Sequence, residues 1–103
     1  IFTSQKKGVV RAFGEKLTMA RSKSLGTGRI VQFFIYGEER AFGIEGGEKE
    51  PFPKSVQVEG KGVADYSEGI YAITFYPDGS SSGGTITISW PDGTAYRLTV
   101  GRF

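Results

Sequence analysis

The stretch "IYAITFYPDGSSSGGTITISWPDG", residues 70–93, decides the fold because one pattern occurs in it twice. In each copy an alternating run ends in an aromatic residue and is followed by Pro-Asp-Gly. Proline presets the first central position of a type I turn, aspartate tolerates the conformation that follows, and glycine accepts a positive φ on re-entry to a strand. The pattern therefore predicts two turns, Pro77-Asp78-Gly79 and Pro91-Asp92-Gly93, each of which ends a β-strand.

The second turn predicts a hairpin between "TITISW" (85–90) and "TAYRLTV" (94–100). Successive side chains of a strand point to opposite faces, so each strand has one apolar face. These apolar faces oppose each other and consist of Ile86, Ile88 and Trp90 on one strand and Tyr96, Leu98 and Val100 on the other.

The first turn is followed by the insertion "SSSGG", residues 80–84, which raises the possibility of a phosphate-binding loop. The glycine spacing from Gly79 to Gly84 fits such a loop, but Thr85 stands where the motif requires lysine. A strand also follows, where the motif needs a helix N-terminus to supply free N–H groups. We therefore interpret the insertion as a flexible, exposed loop between two strands.

The first part of the chain has helical periodicity. On a wheel of 100° per residue, six uncharged residues fall within an arc of about 100°. These residues are Val9, Val10, Phe13, Leu17, Ala20 and Ser24. The glycines of "LGTG" (25–28) can close this amphipathic helix.

Beyond the helix the period changes to two. Runs rich in β-branched and aromatic residues predict strands at 29–36, 40–45, 55–59 and 70–76. The sequence thus predicts an α+β fold in which an N-terminal amphipathic helix packs on antiparallel sheets with hairpin turns. We expect one domain over residues 1–103, with helix at 1–28 and mainly β structure at 29–103.

The composition excludes most enzyme chemistry. The 103 residues include no cysteine and no histidine, which removes thiolate and imidazole metal ligands and histidine-dependent triads. The 11 carboxylates are scattered without the spacing of a calcium loop or of an acid and base pair. We therefore predict no catalytic residue, no metal site and no cofactor. The 14% aromatic content favours a folded chain. The sequence contains no run of about 18 apolar residues, which is the length needed to span a membrane.

Positive charge is concentrated at the start of the chain. Residues 1–29 contain seven basic side chains and one acid, Glu15, while the whole chain carries a net charge of only +2. A basic amphipathic segment is compatible with nucleic acid, an anionic membrane surface or an acidic protein partner, and equally with a solvated helix face. Nucleic acid is the less favoured partner, because no aromatic residue other than Phe13, which the wheel places inward, stands among the basic residues of the helix. The aromatic residues of the strands stand at alternating positions, which is typical of a core and not of a base-stacking platform.

These motifs together resemble the globular part of the H-type minor pseudopilins of type II secretion systems, a group that includes FimT-like minor pilins of type IV pili. The resemblance covers nearly the whole chain, and its most specific element is the loop with the strand that follows. The matching loop residues are Pro77, Asp78, Gly79, Ser80, Ser81, Ser82, Gly83 and Gly84. Leu17, Ala20 and Arg21 resemble an "L..AR" pattern near the helix end, and Gly101-Arg102 is similar to a closing Thr-Gly-Arg in which Val100 replaces the threonine.

The resemblance implies a non-enzymatic filament subunit that assembles with other pseudopilins or pilins. In such proteins an apolar N-terminal helix anchors the precursor in the bacterial inner membrane, a prepilin peptidase trims the leader, and the globular domain lies in the periplasm. Here we expect that anchor to have been removed. The charged side of the helix would then contact neighbouring subunits. The candidate contact residues are Arg11, Glu15, Lys16, Arg21 and Lys23. A type IV minor pilin that binds DNA through the basic helix is the alternative.

Overall fold

The computed structural model describes the backbone of residues 2–102 and the side chains of residues 7–102. One helix, α1 (Phe2–Thr27), is followed by eight strands. The strands are β1 (Val31–Tyr36), β2 (Ala41–Ile44), β3 (Glu50–Pro51), β4 (Gln57–Lys61), β5 (Ala64–Ser67), β6 (Ile70–Phe75), β7 (Gly84–Ser89) and β8 (Ala95–Val100). The predicted α+β class, with a helix on antiparallel sheets, is confirmed.

The strands form two antiparallel sheets. Sheet A has the order β3-β2-β1-β6-β5, and sheet B has the order β4-β7-β8. In sheet A, β1 lies between β2 and β6, with Phe33 opposite both Ile44 and Ile73. In sheet B, β7 pairs with β8 over six residue pairs and with β4 over five. The predicted hairpin is confirmed, with Ile86 opposite Leu98 and Ile88 opposite Tyr96.

Helix α1 buries the predicted face. Phe13, Leu17, Ala20 and Ser24 are all buried, as their spacing of three or four residues requires. Val9 and Val10 at the edge of this face are half-buried. The helix ends as predicted at a glycine, because Gly28 has a φ of 67° and its N–H donates to the carbonyl of Ser24.

The core lies between α1 and both sheets. Phe13 is completely buried, and its ring lies 5.2 Å from Phe33, 5.0 Å from Phe42 and 5.9 Å from Phe52. Sheet B closes the other side of this core with Ile86 and Ile88. Burial of this apolar surface, worth about 25 cal/mol per Å², is the main force that joins the helix to the two sheets.

Two strands of the structure, β3 and β5, were not predicted from the sequence. They lie between the predicted strands, β3 inside the polar, proline-containing segment "GGEKEPFP" and β5 inside the glycine-broken segment 60–69. Both are short edge strands, and β5 carries a bulge between Asp65 and Ser67. Edge strands of this kind are held by backbone pairing and need no apolar alternation. The predicted strand 55–59 also begins and ends two residues later, at 57–61.

Candidate functional site

The two Pro-Asp-Gly turns have the same geometry. In the first, Tyr76 N–H donates to the Ser80 carbonyl (2.9 Å) and Gly79 N–H donates to the Tyr76 carbonyl (3.0 Å). In the second, Trp90 N–H and Gly93 N–H make the equivalent bonds at 2.9 and 3.0 Å. The glycines have φ values of 92° and 90°, so both predicted turns are confirmed.

Asp78 fixes the first turn electrostatically. The hydroxyl and the N–H of Ser80 donate to Asp78 Oδ1 at 2.6 and 2.9 Å. Both bonds favour the ionised carboxylate, and they lower the pKa of the Asp78 carboxyl below its ordinary value of 3.8. In the second turn Thr94 N–H donates to Asp92 Oδ1 at 2.9 Å. The aspartates therefore cap their own turns.

The serine loop, residues 77–84, joins residues 101 and 102, which follow β8, to sheet A by hydrogen bonds. Ser81 is only 7% exposed; its hydroxyl donates to the Gly101 carbonyl (2.7 Å), and its N–H donates to the Arg102 carbonyl (2.9 Å). On the other side, Ser82 N–H donates to the Thr74 carbonyl and Thr74 N–H donates to the Ser82 hydroxyl, both at 2.9 Å. The loop thus connects β6 of sheet A with the segment that follows β8 of sheet B.

The expectation of a flexible, exposed insertion is therefore wrong. Only Pro77 and Asp78 are exposed, whereas Ser81 and Gly83 are buried. Three serines in succession suggested a solvated loop, but the hydroxyls of Ser81 and Ser82 bond to the backbone of neighbouring segments at the point where the chain changes sheet, and the Ser80 hydroxyl bonds to Asp78 within the turn.

Gly83 and Gly84 are required by close packing. Gly83 has a φ of 75°, and a Cβ there would lie 2.9 Å from Arg102 Cγ. Gly84 has a φ of 142°, and a Cβ there would lie 2.8 Å from Val63 Cγ2. Both positions combine a backbone conformation that side chains disfavour with no room for a side chain. The double glycine is a packing requirement of the change of sheet.

The backbone N–H groups of the serine loop are already in use. Gly79 donates to Tyr76, Ser80 to Asp78, and Gly83 to the Ser81 hydroxyl at 3.0 Å. An anion cradle needs several free N–H groups that point at one site. The loop binds its own chain with these groups, so the geometry favours a structural role over phosphate binding.

The outer face of α1 carries the charged residues that were predicted to contact other subunits. Arg11, Glu15, Arg21 and Lys23 are exposed. Lys16 differs, because its Nζ lies 3.7 Å from Glu50 Oε1 on β3 and its side chain is only 25% exposed. The structure therefore brings Lys16 into contact with sheet A and leaves Arg11, Glu15 and Lys23 directed to solvent. Arg21 extends beside the serine loop, where a Cβ at Gly79 would lie 3.8 Å from its Nη2.

Sequence reasoning missed two features of this surface. Met19 on α1 and Leu25 near its end are 52% and 50% exposed, so the outer face is partly apolar. Ser24, which counted only as a small residue of the buried face, donates its hydroxyl to the carbonyls of Arg29 (2.8 Å) and Phe75 (3.1 Å). A serine in the middle of an apolar stripe was the signal for this buried bond between α1 and β6.

The aromatic residues divide by type. Phe33, Phe34, Phe42 and Phe75 are buried, as predicted for core positions. Tyr71 and Tyr76 are instead exposed, while Tyr36, Trp90 and Tyr96 are half-buried.

Within residues 7–102, no group of three or more acidic side chains comes together in a way that could hold a metal ion. The helix described here also lacks the length of apolar sequence needed to cross a bilayer.

A long helix packed along antiparallel sheets is the arrangement of a pilin-like globular domain. The family model described as type II transport protein GspH matches residues 10–102, which cover α1 from Val10 onward, both sheets and the serine loop. The chain therefore belongs to the GspH family of minor pseudopilins, structural components of type II secretion. The comparisons with curated proteins and with solved structures gave no significant match.

Proposed function

We propose that this chain is the periplasmic part of a minor pseudopilin that assembles at or near the tip of a type II secretion pseudopilus and supports protein export across the outer membrane. In the full-length protein, an apolar helix that precedes the present chain anchors it in the inner membrane. A prepilin peptidase removes the leader, and the new N-terminus is methylated. Family membership supports the secretion role.

The observation that carries this proposal is the division of α1 into two faces. At 1.5 Å per residue, the 26 residues of α1 extend over about 39 Å, close to the longest dimension of the molecule, 41 Å. One face is held in the core by Phe13, Leu17 and Ala20, and the opposite face has no cover from the rest of the described chain. A helix of this length can align with parallel helices of neighbouring subunits.

The charges on the outer face give such contacts their specificity. Arg11 and Glu15 lie one turn apart and carry opposite charges, so a neighbouring helix must present the complementary order. Arg21 and Lys23 extend the positive charge toward the end of the helix. Lys16 contributes less, because Glu50 already neutralises part of its charge. We assign subunit contacts to these five residues and a structural role to the serine loop.

Genetic complementation in the source bacterium tests this proposal. Deletion of the gene is expected to abolish secretion of type II substrates, and the wild-type full-length gene is expected to restore it. The exchange Arg11→Glu/Glu15→Arg keeps the net charge and is expected to reduce secretion without loss of the folded protein. The matched control is Lys54→Glu/Glu68→Lys, an exchange at two exposed residues outside α1 that is expected to secrete normally. Normal secretion by the deletion strain would refute the proposal.

A DNA-binding minor pilin is the second candidate, favoured by the exposure of Arg11, Arg21, Lys23 and Arg29. Binding through phosphate contacts releases counterions, so this candidate requires an affinity that falls steeply with salt. A gel shift of duplex DNA at two salt concentrations separates the candidates. We expect no salt-dependent shift, and the deletion strain is expected to retain pilus-dependent motility and DNA uptake.

A further inference from the structure

The four edges of the two sheets differ in how they are protected. β3 has only two residues and includes Pro51, and β5 carries the bulge at Asp65. β4 contains Gly60, which weakens the strand, and Val63 three residues later packs against the face of the sheet at this position, since a Cβ at Gly60 would lie 3.1 Å from Val63 Cγ2. Shortness, proline, bulges and covering segments are the devices by which proteins block pairing with other strands.

The fourth edge, β8, has none of these devices. It pairs with β7 through six successive residues without a bulge, and it contains neither proline nor glycine. Ala95, Arg97 and Thr99 are exposed along it. Among the described residues, β8 is therefore the long, regular and open edge.

The direction of the backbone groups on β8 follows from the hairpin. Trp90 N–H donates to the Thr94 carbonyl, so residues 90 and 94 form a hydrogen-bonded pair. In an antiparallel ladder such pairs alternate with pairs whose backbone groups point away from the partner strand. The N–H and carbonyl groups of Tyr96, Leu98 and Val100 therefore face β7. Those of Ala95, Arg97 and Thr99 face outward.

Charge determines which strand can use this edge. Between residues 94 and 102 the chain has two arginines, Arg97 and Arg102, and no carboxylate. The ion pairs within residues 7–102 are Lys16–Glu50 and Lys49–Glu39, so Arg97 belongs to neither. If two copies of this chain paired antiparallel through β8 with residue 97 at the centre, their Arg97 side chains would lie directly opposite each other. If the register shifted by one hydrogen-bonded pair, the same two side chains would lie diagonally across the strands. The edge therefore disfavours a second copy and favours an acidic strand.

We propose that the outer edge of β8 is a docking site for an extended, acidic strand of another protein, which adds to sheet B as a fourth strand. The guest strand pairs its backbone with Ala95, Arg97 and Thr99 and places a carboxylate beside Arg97. Its alternate residues are apolar, because they extend the half-buried face formed by Tyr96, Leu98 and Val100. This site lies on sheet B and does not depend on the proposed contacts of α1 or on a role in secretion.

Amide-resolved NMR of the isotope-labelled chain tests the proposal with a seven-residue peptide of alternating valine and polar residues that has a central glutamate. Without peptide, the amides of Ala95, Arg97 and Thr99 are expected to exchange quickly with solvent, and those of Tyr96 and Leu98 slowly. With millimolar peptide, the first three are expected to gain at least tenfold protection, and the other two should keep theirs. This alternation distinguishes strand addition from docking of side chains on a face.

Two matched peptides and one variant complete the experiment. A peptide with N-methyl groups on the backbone nitrogens that face β8 is expected not to bind. A peptide with central lysine is expected to bind at least threefold more weakly, and Arg97→Glu, at an exposed position, is expected to reverse that preference. Absence of binding, equal binding of the N-methylated peptide, or slow exchange at Ala95, Arg97 and Thr99 in the peptide-free chain would each overturn the proposal. The last result would show that copies of the chain pair with each other.

Discussion

Truncation of Phe13 is the most direct test of the core that joins α1 to the sheets. Phe13 is completely buried and contacts the rings of Phe33, Phe42 and Phe52. Removal of a buried phenylalanine side chain costs about 3 to 5 kcal/mol, and each lost aromatic pair accounts for about 0.5 to 1.5 kcal/mol beyond area burial. With three ring partners, we expect Phe13→Ala to lower the free energy of unfolding by about 4 to 5 kcal/mol. That is a large part of the roughly 5 to 15 kcal/mol of a typical domain.

Urea denaturation followed by circular dichroism measures this change. For an m-value of about 1 to 3 kcal/mol per molar urea, the midpoint is expected to fall by at least about 1 M. The matched control is Met19→Ala on the same helix, at a side chain that is 52% exposed, which is expected to change stability by less than about 0.5 kcal/mol. If Phe13→Ala leaves too little folded protein to measure, Phe13→Leu provides the same comparison with a smaller loss. Equal midpoints for the Phe13 and Met19 variants would refute the assigned face of α1.

Three further predictions concern single positions. Gly14→Ala is expected to raise the free energy of unfolding by up to about 1 kcal/mol, seen as a higher urea midpoint. Alanine favours the helix, and the new Cβ lies at an ordinary contact distance of 3.7 Å from Leu98 Cδ2. Ser81→Ala is expected to cost about 1 to 3 kcal/mol in the same assay, because one buried and one partly buried hydrogen bond of the serine loop are lost. Asp78→Ala is expected to make the free energy of unfolding depend less on pH in urea melts recorded from pH 2 to 6. The wild-type pKa is lowered, so the contribution of the carboxylate is complete above pH 3.8 and is lost as the pH falls through the lower folded-state value.

Each of these has a control. Gly79→Ala, at a φ of 92°, is expected to destabilise, in contrast to Gly14→Ala. Ser22→Ala on the exposed side of α1 is expected to have little effect, in contrast to Ser81→Ala. A loss of stability in Gly14→Ala, equal effects of the two serine variants, or the same dependence of stability on pH in wild type and Asp78→Ala would contradict the respective reasoning.

The elements that the sequence predicted are those in which local chemistry and burial agree. The stripe from Val9 to Ser24 and the two Pro-Asp-Gly turns each require particular residue types at particular positions, and the structure has them there. β3 and β5 were missed because edge strands depend on a neighbour that the local sequence does not contain. Their pairing partners are set by the tertiary fold.

The serine loop shows the same limit at the candidate site. Its turn was predictable from Pro77, Asp78 and Gly79, but its burial was not. Ser81 is buried because Gly101, 20 residues later in the chain, returns to accept its hydrogen bond. Likewise Lys16 looked equivalent to the other helix charges until the position of Glu50 was known. Long-range partners of this kind cannot be read from spacing.

The central claim is that α1 uses one face for its own core and the other for neighbouring subunits. Because residues 1–103 contain no cysteine, a single cysteine introduced into this part of the protein can be labelled with a maleimide without competition from another thiol there. We expect Glu15→Cys to be labelled in the isolated protein and protected in the assembled filament, and Leu17→Cys to be protected in both. Labelling of Glu15→Cys that is equally fast before and after assembly would contradict the central claim.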